Sequence, residues 1–273
     1  MRILILAALG VILLVGSAFA DVDDFDNEPY SVGVYIQGYP GFSTASNYYD
    51  QNGDKQEFSD TWNGFGFMLR PTYYSMFNDH RWSVSVVMPF MSYSQGSGNS
   101  ESGFGDIQIS AAYWIIDDYN KGNYLSMWFW SDLPTGDDNK GLGTGQVNIR
   151  PGFAYTWYKN PYHIQTSIYY NLRLENSDTN LKPGDEIWFN CAFGYWFNKD
   201  YRASLEFESG FGQDWKWDSN SLPDTKEQWY KLGPSFCYQI NPDVGLKFKM
   251  LYNLGGTNTL QTIDIGARVT YGL

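Results

Sequence analysis

The sequence predicts an all-β protein whose strands close into a transmembrane antiparallel barrel, and three observations support this fold class. Apolar and polar residues alternate with a period of two through most of the chain, as they do in strands with two unlike faces. Aromatic residues make up 19% of the 273 residues, yet they are interleaved with polar ones. No window beyond the N-terminal segment offers the roughly 18 consecutive apolar residues that a transmembrane helix needs, so strands are the expected spanning elements.

The N-terminus has the pattern of a secretory signal peptide. Residues 1–20 combine a positive start, an apolar run and a small-x-small cleavage site. Cleavage would leave a chain beginning at Asp21, and because no cysteine follows the cleavage point, we expect no lipid anchor. Residues 21–30 form an acidic leader, which we interpret as a solvated terminus, with folding into the barrel mouth as the alternative. The barrel is expected to occupy residues 31–273.

Twelve segments of alternating polarity predict twelve strands. They span residues 31–39, 62–74, 81–93, 104–116, 123–133, 145–158, 161–174, 184–197, 200–212, 227–240, 243–254 and 259–272. Short links alternate with longer polar links, and the longer ones fall around 40–61, 94–103, 134–144, 175–183 and 213–226, before a short last link at 255–258. Outer-membrane barrels have short periplasmic turns and longer external loops. The even strand number and this order of links predict that both termini lie on the periplasmic side.

The two faces of each predicted strand indicate which side of the wall meets lipid. In 161–174, Ile168 lies on the apolar face and Arg173 on the polar face. Charges and glycines share the polar faces, which suits a watery lumen, whereas a soluble lipocalin-like barrel would bury the apolar faces. We therefore expect lipid on the apolar side, and no disulfide between Cys191 and Cys237, which fall on opposite faces. Aromatic residues at strand ends are expected at the bilayer interfaces, among them Trp114, Trp157 and Phe197.

The last strand is expected to close the barrel by pairing with the first, because an unpaired edge in hydrocarbon would leave backbone groups without partners. Apolar residues alternate back from the terminus through Leu273, Tyr271 and Val269. This pattern resembles the signal by which barrel-assembly machinery recognises outer-membrane proteins, although Leu273 replaces the usual terminal aromatic residue. Outer-membrane lipid and the assembly machinery are therefore expected partners of a monomeric barrel.

The polar faces supply the candidate site residues. Nine charged residues are expected to line the lumen: Arg70, Asp106, Asp132, Arg150, Arg173, Glu206, Lys231, Asp264 and Arg268. The same side carries Glu208, Lys247, Trp128, Trp130, Trp188 and Trp229. Two interpretations stay open. The charges form a self-neutralising network that fills the barrel, or they form a constriction that guides a small solute, with Arg150 and Asp106 as a candidate pair.

Other chemistries find little support in the sequence. A net charge of −12 argues against nucleic acid, because phosphate contacts need Lys and Arg. The segment 136–143 has the outer glycine spacing of a phosphate loop but lacks its Lys-Ser/Thr pair, and 50–61 lacks the glycine position and final Glu of a calcium loop. His80 and His163 show no nucleophile–base arrangement, so an outer-membrane phospholipase is the least favoured alternative. We expect no cofactor, no metal site and no enzyme activity.

Three motifs surround the most glycine-rich loop: Phe104-Gly-Asp-Ile-Gln-Ile, Leu133-Pro-Thr-Gly-Asp and Leu142-Gly-Thr-Gly-Gln-Val-Asn. Together they resemble the family described as "putative MetA-pathway of phenol degradation", whose members are exported proteins often labelled transporters. The resemblance implies an outer-membrane channel for passive uptake of small molecules, aromatic or hydrophobic compounds among them. The alternative is a non-conducting structural or surface-binding barrel whose lumen is plugged by side chains.

Overall fold

The computed structural model describes residues 31–96, 99–241 and 243–273, and nearly all regular structure in them is β-strand. The signal peptide and leader predicted at 1–30 lie outside the described residues. No helix in the described ranges is long and apolar enough to cross a membrane, and the one short helical turn is a 3-10 turn at Asp138–Lys140. The strands are β1 (Gly33–Tyr49), β2 (Lys55–Phe77), β3 (His80–Gln95), β4 (Asn99–Phe104), β5 (Ile107–Asp118), β6 (Asn123–Leu133), β7 (Asn148–Lys159), β8 (Tyr162–Arg173), β9 (Leu181–Lys182), β10 (Glu186–Trp196), β11 (Tyr201–Gly212), β12 (Trp215–Trp217), β13 (Asn220–Leu222), β14 (Gln228–Asn241), β15 (Val244–Thr257), β16 (Thr259–Leu260) and β17 (Ile263–Gly272).

Twelve of these strands form one closed antiparallel barrel. Around the wall they follow the order β1, β17, β15, β14, β11, β10, β8, β7, β6, β5, β3 and β2, and β2 pairs with β1 again. The C-terminal strand meets the first one in register, with Tyr35 opposite Gly272. Closure leaves no free edge, as the hydrocarbon interior of a membrane requires. The predicted twelve-stranded barrel and its closing pair are confirmed, whereas the periplasmic position of the termini stays a prediction.

The outer surface of the wall is apolar and the inner surface is polar. Along β8, Ile168 and Tyr170 are exposed on the outside, while Ser167 and Arg173 are buried inside. The same alternation recurs around the barrel, and exposed Ile, Leu, Val and Phe side chains form a continuous outer belt. Such a belt is the mark of strands that face lipid. The two cysteines are free thiols, with Cys191 on the outer face and Cys237 buried on the inner one, so the prediction of no disulfide is confirmed.

The first predicted loop, 40–61, is wrong. β1 continues to Tyr49 and β2 already begins at Lys55, so only residues 50–54 remain as a connection. The sequence suggested a break because Pro40 is followed by glycine and then by a polar run. In the structure Pro40 lies inside β1, opposite Phe67, and the polar residues pair as a hairpin that continues beyond the apolar part of the wall. Strands that extend past the membrane need no apolar face, so polarity there does not indicate a loop.

The predicted strand 104–116 is interrupted. β4 ends at Phe104 and β5 begins at Ile107, and both pair with β3, so that Gly105 and Asp106 form a short irregular link in the wall. The Gly105 N–H donates to the carbonyl of Pro89, which keeps the wall joined there. The link turns Asp106 out of the strand register, and its carboxylate contacts a loop rather than a neighbouring strand.

The prediction of Trp114 at a bilayer interface is also wrong, because this side chain is fully buried inside the barrel. Its ring packs against Tyr74 and Trp128, with centroids 6.1 and 5.8 Å away. Trp114 has the same parity along β5 as Ala112, which faces inward, so the two-residue period decides the direction and the aromatic character does not. Phe197, by contrast, is exposed, and Trp157 is partly exposed on the outer face.

Three other long connections expected to be irregular contain strands. In the predicted loop 94–103, β3 continues to Gln95 and β4 begins at Asn99, so that prediction is wrong. β9, β12 and β13 form a separate three-stranded sheet from the connections between β8 and β10 and between β11 and β14. These connections lie at the same barrel end as the 50–54 turn, which we call the loop end, whereas the shorter turns lie at the turn end. Backbone pairing between separate connections depends on their meeting in space and has no local sequence signature.

Candidate functional site

The barrel interior carries the nine predicted charged residues on its wall or rim. Seven of them are buried, namely Arg70, Asp106, Asp132, Arg150, Arg173, Glu206 and Arg268. Lys231 and Asp264 retain more contact with water. Neutral polar side chains between them are also dry, since Ser126 and Thr156 are fully buried. Side chains therefore fill much of the interior.

Ion pairs neutralise most of these charges. Arg150 and Asp132 pair at 2.6 Å, and Arg173 pairs with Glu186 at 2.5 Å, each across neighbouring strands. Three further pairs reach across an intervening strand: Lys247–Glu206 at 2.6 Å, Lys249–Glu208 at 2.7 Å and Lys231–Asp264 at 2.8 Å. Buried charges are tolerated when each has an opposite partner with good geometry. The self-neutralising network considered from the sequence is thus present.

Cations and tryptophans alternate along one side of the interior in what we call the cation–tryptophan row. The stacked rings of Trp128 and Trp130 lie 5.9 Å apart at 13°, and the guanidinium of Arg70 lies 4.9 Å from the second ring. Arg150 continues the row, 5.9 Å from Trp130 and 5.2 Å from Trp188. It ends at Trp229, whose ring lies 5.4 Å from the Lys231 ammonium. Because cation–π contacts strengthen when water is excluded, the row packs and stiffens this side of the barrel.

The adjoining part of the wall, which we call the open wall, shares Lys231 with the row. It keeps some of its charged groups in contact with water, whereas Glu206, Lys247 and Arg268 on it are buried. It comprises the inward faces of β11, β14, β15, β17 and β1, and its side chains of Lys249, Asp264 and Lys231 are 24%, 16% and 13% exposed. Lys249 lies opposite Gly266, which in turn lies opposite Gly41. A Cβ at Gly266 would meet only the carbonyl of Pro40, at 4.0 Å. Missing side chains therefore leave free space beside two accessible ion pairs.

Residues 45–269 match the family model described as "putative MetA-pathway of phenol degradation". The chain belongs to this family. A search of curated proteins found no match.

Solved structures that resemble this family member are membrane barrels. An outer membrane channel from Pseudomonas putida F1 matches with a TM-score of 0.83 and 16% identity, over 93% of this chain and 100% of that one. The translocator domain of the autotransporter NalP from Neisseria meningitidis matches with a TM-score of 0.57 and 10% identity, over 98% of each chain. The CymD monoaromatic hydrocarbon channel matches with a TM-score of 0.51 and 6% identity, over 92% of this chain and 91% of that one. The likeness shows a shared fold, and the closed wall with its apolar belt makes this family member an outer-membrane barrel.

The motifs that identified the family meet at one place in the structure. The link at Gly105 and Asp106, the segment 134–136 and the segment 142–145 lie together at the loop end, where the Asp106 carboxylate accepts hydrogen bonds from Gly136 and Thr144. The family signature therefore encodes a junction between the wall and the connection from β6 to β7. Asp106 lies at this junction, whereas Arg150 pairs with Asp132 instead.

Hydrogen bonds join the connections at the loop end of this family member into a series that runs from the 50–54 turn around the mouth to Gly105. The bonds link Asn258 to Asp50 and Lys226, Asp218 to Asn180, Asn176 to Thr144, and Thr135 to Gly105. The mouth is therefore built as a connected rim rather than as independent loops.

Glu186 and Glu227 form an acidic pair beside Arg173 that sequence reasoning missed. The Trp188 indole N–H donates to Glu186 at 2.6 Å, and both glutamates are buried. Burial raises the pKa of Glu227, in the connection before β14, to about 8, and the nearby charge of Glu186 adds to this effect while Arg173 opposes it. Burial therefore favours the protonated form of Glu227. The parity of Glu186 with Trp188, and that of Glu227 with Trp229 in the predicted strand 227–240, could have revealed both.

A second missed cluster lies toward the turn end. Arg202 and His163 are fully buried, and the guanidinium lies 3.4 Å from His163 Nδ1 and 5.0 Å from the Trp196 ring. Arg202 also lies 3.5 Å from the Cys237 sulfur. Its parity with Glu206 along β11 was a usable signal for its inward direction. In the parts of the chain that the structure describes, no group of three His, Cys, Asp or Glu residues could hold a metal ion.

Proposed function

We propose that this protein is an outer-membrane channel through which small molecules diffuse passively. The open wall is the observation that carries the proposal. Lys249, Lys231 and Asp264 keep water contact on this wall, with 24%, 13% and 16% of their side chains exposed, and Gly266 leaves space beside them. Opposed charges along an accessible path are the usual means by which a pore holds a solute weakly enough to release it.

The likeness to a monoaromatic hydrocarbon channel and the family's link to phenol degradation support small aromatic or hydrophobic solutes. Of the nine predicted residues, Lys231 and Asp264 are the two whose side chains keep water contact on the open wall, and they are the first candidates for solute contact. The others are candidate lumen residues that act by packing and charge: Arg70, Asp106, Asp132, Arg150, Arg173, Glu206 and Arg268. The proposal includes a monomer, termini on the periplasmic side and assembly by the barrel-assembly machinery.

The second candidate function is a non-conducting barrel with a structural or surface-binding role. The dryness of Ser126 and Thr156, together with the cation–tryptophan row, favours it, because a barrel filled by side chains has no need of a conducting path. An outer-membrane phospholipase receives less support, since His80 binds the backbone carbonyl of Trp114 at 3.0 Å. We therefore propose no enzyme activity.

Single-channel recording separates the two leading functions. Purified protein in planar bilayers should give stepwise conductance if it is a channel, whereas a barrel that inserts but stays silent would favour the filled alternative. Uptake into liposomes of phenolic, fatty and sugar-like compounds would then define the solute class. Equal rates for all three would contradict a preference for aromatic or hydrophobic compounds.

A further inference from the structure

The connection between β6 and β7, residues 134–147, is tied to the wall by the Asp106 carboxylate. One oxygen accepts the Gly136 N–H at 2.9 Å, and the other accepts both the N–H and the hydroxyl of Thr144, at 2.7 and 2.8 Å. Hydrogen bonds to an ionised carboxylate are shorter and stronger than those between neutral groups. One side chain therefore holds both ends of the connection in a fixed position.

Two glycines let this connection fold back on itself beneath Asp106. A Cβ at Gly143 would lie 2.7 Å from an oxygen of Asp106 and 2.8 Å from the backbone of Gly136. A Cβ at Gly136 would lie 2.5 Å from the carbonyl of Leu142. Neither backbone can approach so closely with a larger residue. The folded-back conformation is thus specified independently of the Asp106 hydrogen bonds.

The tip of the connection carries Leu142 into an apolar seat across the mouth. Leu142 is only 2% exposed and clusters with Ala45, Trp62, Met91 and Leu260. These residues belong to β1, β2, β3 and β16, and β1 is four positions from β6 around the wall. Partly buried rings of Tyr48, Phe58 and Tyr93 surround the seat. The connection therefore crosses part of the loop end instead of extending away from it.

Contacts on both sides keep the tip in this seat. The Tyr93 hydroxyl donates to the carbonyl of Lys140, and the Asn176 amide donates to the carbonyl of Thr144 at 3.5 Å. The first contact comes from β3 and the second from the neighbouring connection. Hydrogen bonds from Tyr93 and Asn176, together with those to Asp106, give the connection a defined position at the mouth.

We propose that Leu142 is a specificity-determining residue at the mouth of the channel and that Asp106 is its positioning residue. This inference rests on the proposed channel function and deepens it. Leu142 and its seat form an apolar obstruction, so water and hydrophilic solutes pass the mouth only around it. Asp106 sets the size of the remaining opening because its hydrogen bonds fix the connection that bears Leu142. The same chemistry favours solutes that tolerate contact with an apolar side chain.

Lys140 provides a readout of loop position that does not depend on conduction, because it is the single tryptic site in residues 134–147. Asp106→Asn replaces one acceptor oxygen by a donor group and so opposes the Gly136 or Thr144 N–H. We expect tryptic cleavage after Lys140 to accelerate about tenfold, the effect of losing one hydrogen bond to a charged group. Asp137→Asn is the matched control, since Asp137 is an exposed carboxylate of the same connection that pairs only with Lys140 among the ion pairs described.

Planar-bilayer recordings on the same proteins test the role of Leu142. We expect both Asp106→Asn and Leu142→Ala to raise the single-channel conductance and to admit larger hydrophilic solutes, while Asp137→Asn behaves like wild type. Leu142→Ala keeps the Asp106 bonds, so its effect reports the obstruction itself. Heat-modifiable gel migration should be retained by all variants, which shows that the barrel is intact.

The outcomes separate this inference from the proposed function. If wild type conducts and both variants conduct more, the channel function and the roles of Leu142 and Asp106 are both supported. If wild type is silent but both variants conduct, the inference is supported, and the proposal that wild type is a passive channel is overturned. If wild type conducts and the variants match it, whatever their cleavage rates, the inference is overturned while the channel remains. If none of the proteins conducts, the inference and the channel function are both overturned.

Discussion

The Arg150 guanidinium on β7 lies 2.6 Å from the Asp132 carboxylate on the adjacent strand β6, and 5.9 and 5.2 Å from the rings of Trp130 and Trp188. The pair therefore belongs both to the ion-pair network and to the cation–tryptophan row. Its burial makes the two partners depend strongly on each other, because either charge alone would lie in a dry interior.

Removal of the Arg150 side chain tests this dependence. Arg150→Ala leaves Asp132 buried without its cation, and we expect the free energy of unfolding to fall by about 3–5 kcal/mol. Urea unfolding in detergent measures the loss. The double variant Arg150→Met with Asp132→Asn removes both charges and should recover most of it. An Arg150→Ala protein with an unchanged urea midpoint would show that the pair is not needed for the fold.

Gly266 tests the path along the open wall. In Gly266→Trp a large ring would occupy the free space beside Lys249, and we expect single-channel conductance to be lost while the barrel stays folded. Ala267→Trp is the matched control, because the neighbouring side chain lies on the lipid side of the same strand. Conductance that survives in Gly266→Trp would exclude this wall as the path.

Gly143 tests the folded-back connection at the loop end. Gly143→Ala would bring a methyl group within 2.7 Å of Asp106 and 2.8 Å of Gly136, so the connection must shift. We expect a loss of about 1–3 kcal/mol in the free energy of unfolding, as is usual for an overpacked site, together with faster tryptic cleavage after Lys140. Gly255→Ala, where a Cβ would meet nothing within 4 Å, should leave both measurements unchanged. Equal behaviour of the two variants would contradict the packing argument.

Glu227 makes stability depend on pH. Its pKa, raised by burial to about 8 in the folded protein, lies above its ordinary value of 4.5. The folded state therefore binds a proton that the unfolded state releases, so the stabilising effect is complete below the ordinary pKa and disappears as the pH rises through about 8. We expect the urea midpoint of wild type to fall between acidic and alkaline pH, and Glu227→Gln to remove much of that fall.

Glu175→Gln is the control for the Glu227 experiment, because Glu175 is an exposed carboxylate at the same barrel end. It should retain the wild-type pH profile. If Glu227→Gln loses stability with rising pH as steeply as wild type, another group causes the dependence and the buried proton is not on Glu227.

The fold class and the direction of most side chains could be predicted because they follow from a local repeat. Along β8 the two-residue period separates Ile168 from Arg173 correctly, and the same rule finds the lumen charges and the opposite faces of the cysteines. Trp114 shows what happens when two rules disagree. Its position in the two-residue period indicates the interior, where the side chain lies, whereas the preference of aromatic residues for bilayer interfaces led to the wrong prediction. The ends of β1 and β2 next to the 50–54 turn were predicted wrongly because strands that extend beyond the membrane are polar, and their sequence resembles that of a loop.

The partners in the ion pairs and the position of Leu142 at the mouth could not be predicted, because they depend on contacts between distant parts of the chain. Lys249 meets Glu208 across β14 only because the stagger of the closed barrel brings them to one height, and stagger is a property of the whole sheet. Leu142 finds its seat on strands far from its own. Alternating polarity along the chain thus decides that a closed barrel forms and which residues it encloses. The closed barrel then decides which of them touch, because closure sets the relative heights of all twelve strands at once.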